Sequence, residues 1–133
     1  MKKELQDKLY KQFPKLFKQK DAPLTETCMC WGIETGDGWF WLINNLCSQL
    51  QWDIDKNKHP QIEVTQVKEK YGTLRFYTNN NDDKQDGMIT LAEFMSSSIC
   101  ERCGSIDEVT QTEGWIVTLC KKCMEERNEK NYN

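Results

Sequence analysis

Apolar residues recur at helical spacing in two stretches of the chain. Over residues 2–13 they lie four residues apart, which predicts an amphipathic helix with lysines on its outer face. Pro14 follows and should end or kink this helix. The same kind of spacing over residues 39–51 predicts a second helix, with Asp37 or Gly38 as its N-cap.

The hydrophobic period changes to two from residue 61 onward, which is typical of β-strands. Two such runs flank a turn at residues 70–72 and predict a β-hairpin. A polar Asn/Asp loop follows, after which a further helix is predicted from Ile89 to about Ser98. The order α, α, β, β, α predicts an α+β fold with a small core of helices and the hairpin.

Length and composition fit one folded domain. The chain has 133 residues, of which 38% are hydrophobic and 11% aromatic, as expected for a protein with a packed core. Its apolar runs fall far short of the roughly 20 residues that cross a bilayer. The N-terminus is polar and lacks the apolar segment of a signal peptide. We therefore expect a cytoplasmic protein with no membrane partner.

The most informative motif is a pair of CxxC sequences near the C-terminus. The chain contains seven cysteines, an odd number that argues against a fully paired disulfide framework. Four of them are spaced so that two short turns, or knuckles, can direct their thiolates at one ion: Cys100, Cys103, Cys120 and Cys123. This spacing predicts a structural zinc ion, because four protein ligands leave no open position for a catalytic water. An iron–sulfur cluster, a redox-active CxxC pair and two disulfides are the alternatives.

The cysteine motif and the charge pattern divide the chain into four parts. We predict a lysine-rich helix in residues 1–20, an α+β core with the hairpin in residues 21–99, a zinc-ribbon-like module with four cysteine ligands in residues 100–124 and a polar tail in residues 125–133. The first part carries a net charge of +5, the second carries −6, and the last two together carry −2, for a total of −3. A basic N-terminal segment therefore precedes an acidic body.

Two weaker signals point to further metal sites. Cys28 and Cys30 would lie on the same side of an extended segment and, with Cys47, could hold a second ion, although buried free thiols explain them as well. The segment Asp82 to Glu93 has part of the spacing of a calcium-binding EF-hand loop, but Lys84 stands where an oxygen ligand belongs. We favour an ordinary loop with a helix cap there.

Enzymatic motifs are missing from the sequence. The chain has no GxSxG, no glycine-rich phosphate loop and no paired-histidine motif, and His59 is its only histidine. A carboxylate-dependent hydrolase that uses Glu34 and Asp37 is a remote alternative. We therefore expect a protein that is not an enzyme.

Tryptophans around the second helix predict a protein-binding surface. Trp39 and Trp41 are two residues apart, so they diverge on a helix and one of them should lie near the surface. Exposed tryptophan beside a carboxylate is typical of a protein-binding patch, and packing against the hairpin is the alternative. The candidate partner-binding residues are Trp31, Asp37, Trp39 and Trp41.

Four motifs in order along the chain support a resemblance: Gly-Asp-Gly-Trp at 36–39, Glu-Lys-Tyr-Gly-Thr-Leu-Arg-Phe-Tyr at 69–77, Cys-Glu-Arg-Cys-Gly at 100–104 and Gly-Trp-Ile-Val-Thr-Leu-Cys at 114–120. Together they resemble a widespread family of small phage and prophage proteins of unassigned function. Members of that family have a histidine near the last knuckle, where this chain has Cys123. The resemblance implies a phage or mobile-element origin and no particular activity.

Two function hypotheses follow from these observations. The first is a non-enzymatic zinc-binding protein that contacts a protein partner, such as a host or phage protein or a defence factor. The second is a nucleic-acid-binding regulator that uses the zinc module and N-terminal lysines, among them Lys8, Lys11 and Lys15.

Overall fold

A computed structural model describes residues 1–132, which form four α-helices and five β-strands arranged in two sheets. The helices are α1 (Lys3–Gln12), α2 (Phe40–Asn57), α3 (Asp83–Ser96) and α4 (Lys121–Tyr132). The strands are β1 (Ile33–Glu34), β2 (Val64–Lys70), β3 (Thr73–Thr78), β4 (Thr110–Gln111) and β5 (Thr118–Leu119). Short 3₁₀ turns cover Lys18–Asp21, Cys28–Trp31 and Asp37–Trp39. The predicted α+β class is confirmed.

The larger sheet contains the predicted hairpin. Its strand order is β1-β2-β3, with β1 parallel and β3 antiparallel to β2. The turn residues Tyr71 and Gly72 both have positive φ angles, of 53° and 78°. Two such residues are typical of a type I′ turn, whose twist matches that of the flanking strands. The hairpin prediction is confirmed.

One apolar cluster lies between the helices and the inner face of this sheet. Ile43 from α2, Val67 from β2 and Ile89 from α3 belong to it. The N-terminal segment packs into the same cluster, because Leu9 in α1 and Leu16 after it are fully buried there. Residues 1–20 and 21–99 therefore share one core.

The second helix is longer than predicted. It continues past residue 51 to Asn57, because Ile54 extends the buried face by another turn. Lys58 then adopts a left-handed conformation with φ of 53° and closes the helix end, its N–H donating to the carbonyl of Ile54.

The third helix begins earlier than predicted. Asp82 and Gln85 form a capping box, in which the Asp82 carboxylate accepts the Gln85 N–H at 2.8 Å and the Gln85 side chain accepts the Asp82 N–H at 3.0 Å. The helix therefore begins at Asp83, and the prediction of a start at Ile89 was wrong. Because the segment Asp82 to Glu93 is a capped helix, it does not have the loop geometry that an EF-hand site requires.

The C-terminal part forms a small separate unit. β4 and β5 pair antiparallel, and α4 follows directly after them. The strand β5 covers only Thr118–Leu119, and Trp115, which is 81% exposed, lies outside it. The predicted polar tail is helical as far as Tyr132, and Asn133 lies outside the described residues. Within residues 1–132 no helix is long and apolar enough to span a bilayer.

Candidate metal centre

The four cysteines of the two CxxC motifs converge although residues 104–119 separate the motifs. Cys100 and Cys103 lie in the turn after α3, Cys120 directly follows β5, and Cys123 lies in the first turn of α4. All four Sγ atoms lie within 4.8 Å of one another. Cys100, Cys120 and Cys123 form a buried cluster with Leu119, packed against Val109, Val117 and Met124, whereas Cys103 is exposed.

The sulfur spacing fits a single tetrahedral ion. A metal–sulfur distance of about 2.3 Å places neighbouring sulfurs about 3.8 Å apart, and the Sγ atoms of Cys103 and Cys120 are 3.7 Å apart. A disulfide would bring two sulfurs to about 2.05 Å, and all seven cysteines are free. The residues present therefore fit one metal ion held by four protein sulfurs.

The protonation of these thiols depends on burial and on backbone dipoles. Burial alone would raise the pKa of the Cys100 thiol, but the N–H groups of Cys120, Cys103 and Arg102 outweigh burial and lower that pKa to about 7. Burial, followed by the neighbouring thiols, raises the pKa of Cys123 to about 12. A divalent cation would stabilise all the thiolates together, which is the chemistry that this donor set suits.

The first knuckle lies directly on the Gly-Asp-Gly-Trp motif. The N–H of Gly38 donates to the Glu101 carbonyl at 2.8 Å, and the N–H of Gly36 donates to the Glu101 carboxylate at 2.9 Å. A Cβ added at Gly36 would overlap the Glu101 carbonyl, and one at Gly38 would overlap the Cys100 carbonyl. Both positions therefore require glycine, because the two backbones approach too closely for a side chain.

A second junction connects the hairpin turn to the segment before the second knuckle. The Thr118 hydroxyl donates to the Gly72 carbonyl at 2.5 Å. A Cβ at Gly72 would come within 2.8 Å of the Ile116 side chain. The four motifs of the sequence resemblance therefore meet at one interface between the core and the cysteine module. No single motif reveals this interface, because the contacts across it join distant parts of the chain.

The predicted tryptophan surface is only partly present. Trp41 is 70% exposed and Trp31 is 64% exposed, as a binding surface requires. Trp39 is fully buried, and its indole N–H donates to the Ile99 carbonyl at 2.9 Å. The assignment of Trp39 to a partner-binding surface was wrong, because that side chain packs in the core beside the cysteine module.

Asp37 has a different role from the predicted helix cap. Its carboxylate accepts the backbone N–H of Lys2 at 2.8 Å, and the Lys2 ammonium lies 3.7 Å from it, so Asp37 holds the beginning of α1. Asp37 and Trp41 line one groove together with Met95 and Ile106.

Trp31 is placed apart from that groove. It lines a separate hollow with Lys3 and Tyr10 of α1. The four predicted partner-binding residues therefore do not form one patch.

The remaining cysteines do not form a second site. Among the described residues, the only group of three or more metal-binding side chains that come together is the cluster of the four knuckle cysteines. Cys28 is exposed and Cys30 is half-buried. Cys47 is fully buried in the apolar core, where desolvation raises the pKa of its thiol.

Comparison with known proteins adds no relative from which a role could be transferred. No protein-family model matches the chain, and neither a curated protein nor a solved structure matches it.

Proposed function

We propose that the four knuckle cysteines hold one structural zinc ion and that the chain works as a non-enzymatic binding protein. The observation that carries the zinc assignment is the closed set of four sulfurs within 4.8 Å. Four thiolates in a tetrahedron are typical zinc ligands. An iron–sulfur cluster would place several iron and sulfide ions between the cysteines and would need wider spacing.

Metal analysis of the purified chain tests this assignment. We expect one zinc per chain in protein produced with both zinc and iron in the medium. Cys103→Ser should lower the zinc content, whereas Cys28→Ser serves as the matched control because Cys28 lies outside the cluster. A chain that contains iron, or no metal with its thiols free, would contradict the proposal.

The proposed partner is a protein that binds at the groove of Trp41 and Asp37. Support comes from the exposure of Trp41 and from the apolar side chains of Met95 and Ile106 beside it. Tryptophan in such a setting is a frequent centre of binding energy. Because the sequence motifs resemble those of phage and prophage proteins, we propose a host protein, such as a defence factor, as the partner, in a reducing compartment that keeps the thiols free.

The alternative of nucleic-acid binding through the N-terminal lysines has less support. The ammonium of Lys3 pairs with Asp7 at 2.7 Å and that of Lys20 with Asp21 at 2.5 Å. Near the knuckles, Arg102 lies 3.8 Å from Glu126. Carboxylates that neutralise these cations reduce their attraction for phosphates, whereas Lys8, Lys11 and Lys15 form no ion pair among the described residues.

Affinity capture with matched variants tests the proposed protein partner. We expect a specific protein to be retained from a bacterial lysate by the wild-type chain and by Trp52→Ala, and to be lost with Trp41→Ala. Trp52 is a suitable control because it is an exposed tryptophan on the same helix but lies outside the groove. Identical sets of bound proteins for the two variants would contradict the assignment of this groove.

A further inference from the structure

The outer face of the β2–β3 hairpin carries three cations within the acidic part of the chain, residues 21–99. Val67, Leu74 and Phe76 point into the core. Because side chains alternate along a strand, the residues between them point outward. The outward residues are Gln66, Lys68 and Lys70 on β2 and Thr73, Arg75 and Tyr77 on β3.

The three cations on this face, Lys68, Lys70 and Arg75, form no ion pair among the described residues. Glu34 of β1 is, however, the register neighbour of Lys68. Lys68 and Arg75 stand directly opposite each other in the strand register, an arrangement of like charges that destabilises a sheet. Two of the cations lie near aromatic rings: the Lys68 ammonium is 5.9 Å from the ring centroid of Tyr77, and the Lys70 ammonium is 5.7 Å from that of Tyr71.

Two aromatic side chains border a cleft at the tip of the same hairpin. Tyr71 is 70% exposed in the turn, and Trp115 is 81% exposed in the cysteine module. They line a cleft of about 480 Å³ together with Glu69, Lys70 and Ile116, and the Glu69 carboxylate accepts the Gly72 N–H at 2.7 Å. This volume lies within the range of about 300–1,000 Å³ that is usual for ligand sites.

The backbone conformation of Tyr71 in the hairpin turn also indicates a binding role. Tyr71 occupies a left-handed position, with φ of 53°, where a type I′ turn favours Asn, Asp or Gly. A tyrosine there costs conformational energy, and its exposed ring gains little packing in return. Such strain is typical of positions that serve binding.

We infer that this hairpin platform, formed by Lys68, Lys70, Arg75, Tyr71, Tyr77 and Trp115, binds single-stranded nucleic acid. Unpaired cations contact the phosphates, while exposed aromatic rings stack on unpaired bases. A duplex is a poor fit, because its bases are already stacked and offer no free faces to the rings. This activity goes beyond the proposed protein binding and uses a different surface from the Trp41 groove.

The test measures fluorescence anisotropy of labelled 15-nucleotide oligo-dT and oligo-U added to the full chain with its metal bound. We expect binding that weakens with salt, with a slope near −2 in log K against log salt for three phosphate contacts. That slope corresponds to about a twentyfold loss of affinity between 50 and 200 mM salt. The relative affinity for the two oligonucleotides distinguishes DNA from RNA as the preferred strand.

Matched variants locate the site. Trp115→Ala and Tyr71→Asn should each lower the affinity by about fivefold or more, because each removes one stacking ring; Asn retains the turn conformation. Lys68→Gln should reduce the slope of log K against log salt by about 0.7, because it removes one phosphate contact. Trp52→Ala and Lys8→Gln are the controls and should bind as the wild type does, and thermal melting checks that every variant is folded.

Three outcomes would overturn the inference. The first is no binding of either oligonucleotide at 50 mM salt. The second is that a 15-base-pair duplex or a polyglutamate peptide binds as tightly as the oligonucleotides. The third is that the control variants lose as much affinity as the platform variants. The zinc content and the capture of a protein partner are measured separately, so their failure would not be mistaken for failure of the platform.

Discussion

Gly38 shows how one missing side chain determines the arrangement of two parts of the molecule. Its N–H bonds the Glu101 carbonyl, and a Cβ at this position would meet both the Cys100 carbonyl and the N–H of Gly104. Backbone atoms cannot move aside as the end of a flexible side chain can, so any substitution displaces the knuckle from the core. Gly87, in the interior of α3, has open space around it instead.

The first prediction compares these two glycines. Gly38→Ala should destabilise the protein by about 2 kcal/mol or more, because the added methyl overpacks a rigid backbone contact. Gly87→Ala should stabilise it by about 0.5–1 kcal/mol, since alanine is the better residue in a helix interior. Chemical denaturation of both variants measures the free energies of unfolding. Equal effects of the two substitutions would contradict the contact described at Gly38.

Asp53 connects α2 with α3. Its side chain is 2% exposed and accepts hydrogen bonds from the Lys84 ammonium at 2.7 Å, the Gln85 amide at 3.2 Å and the Asn57 amide at 2.7 Å. The hydrogen bond from Lys84 is the largest cause that lowers the pKa of Asp53 below its usual value. The carboxylate therefore serves as a shared acceptor that orients one helix against the other.

The second prediction concerns the loss of this acceptor. Asp53→Ala should destabilise the protein by about 1–3 kcal/mol, because the NH₂ group of the buried Gln85 side chain then loses its acceptor. The exposed Asp55 on the same helix is the control, and Asp55→Ala should cost less than about 0.5 kcal/mol. Urea denaturation at neutral pH measures both values, and a neutral effect of Asp53→Ala would contradict the connecting role.

The third prediction is the pH dependence of the same contribution. Because the pKa of Asp53 is lower in the folded state, its stabilising effect is complete above the unfolded pKa of about 3.9. The effect is lost as the pH falls through the lower folded value. The difference in stability between the wild type and Asp53→Ala should therefore shrink below about pH 4. A difference that stays constant down to about pH 2 would argue against the charged form as its source.

At the scale of the whole molecule, the described residues form two cores of unequal size. The larger cluster contains residues from α1, α2, α3 and the hairpin, whereas the buried residues of the smaller one are Leu119 and three of the four knuckle cysteines. Because so few apolar side chains give little burial on folding, we expect a unit of this kind to depend on a metal ion at the four cysteines and on its contacts with the larger core.

The fourth prediction follows from this difference in the size of the two cores. Removal of the metal with a strong chelator should increase amide hydrogen exchange in residues 100–124, while the amides of α2 and the hairpin stay protected. Exchange measured by mass spectrometry with and without the chelator provides the comparison. Uniform protection throughout the chain after metal removal would show that the module does not depend on an ion.

Local patterns explain which predictions were correct. The hairpin follows from strand alternation around a two-residue turn, and the cysteine cluster follows from two CxxC spacings. The Asn/Asp run before α3 is typical of a loop, so the predicted start of this helix was too late. The capping box that fixes the true start is nevertheless a local signal. The helical C-terminus was missed because its residues are almost all polar and show no apolar stripe.

Local sequence patterns were enough to predict the α+β class, the hairpin and the four clustered cysteines, because each depends on residues close together along the chain. The tertiary structure was needed to show that Trp39 is buried while Trp41 is exposed, since helical spacing shows that they diverge but not which one meets the core. It also decided that the glycine motifs contact the cysteine module and that, among the described residues, Lys68 and Arg75 form no ion pair. Burial, docking and charge pairing are set by contacts between distant residues, which no local pattern encodes.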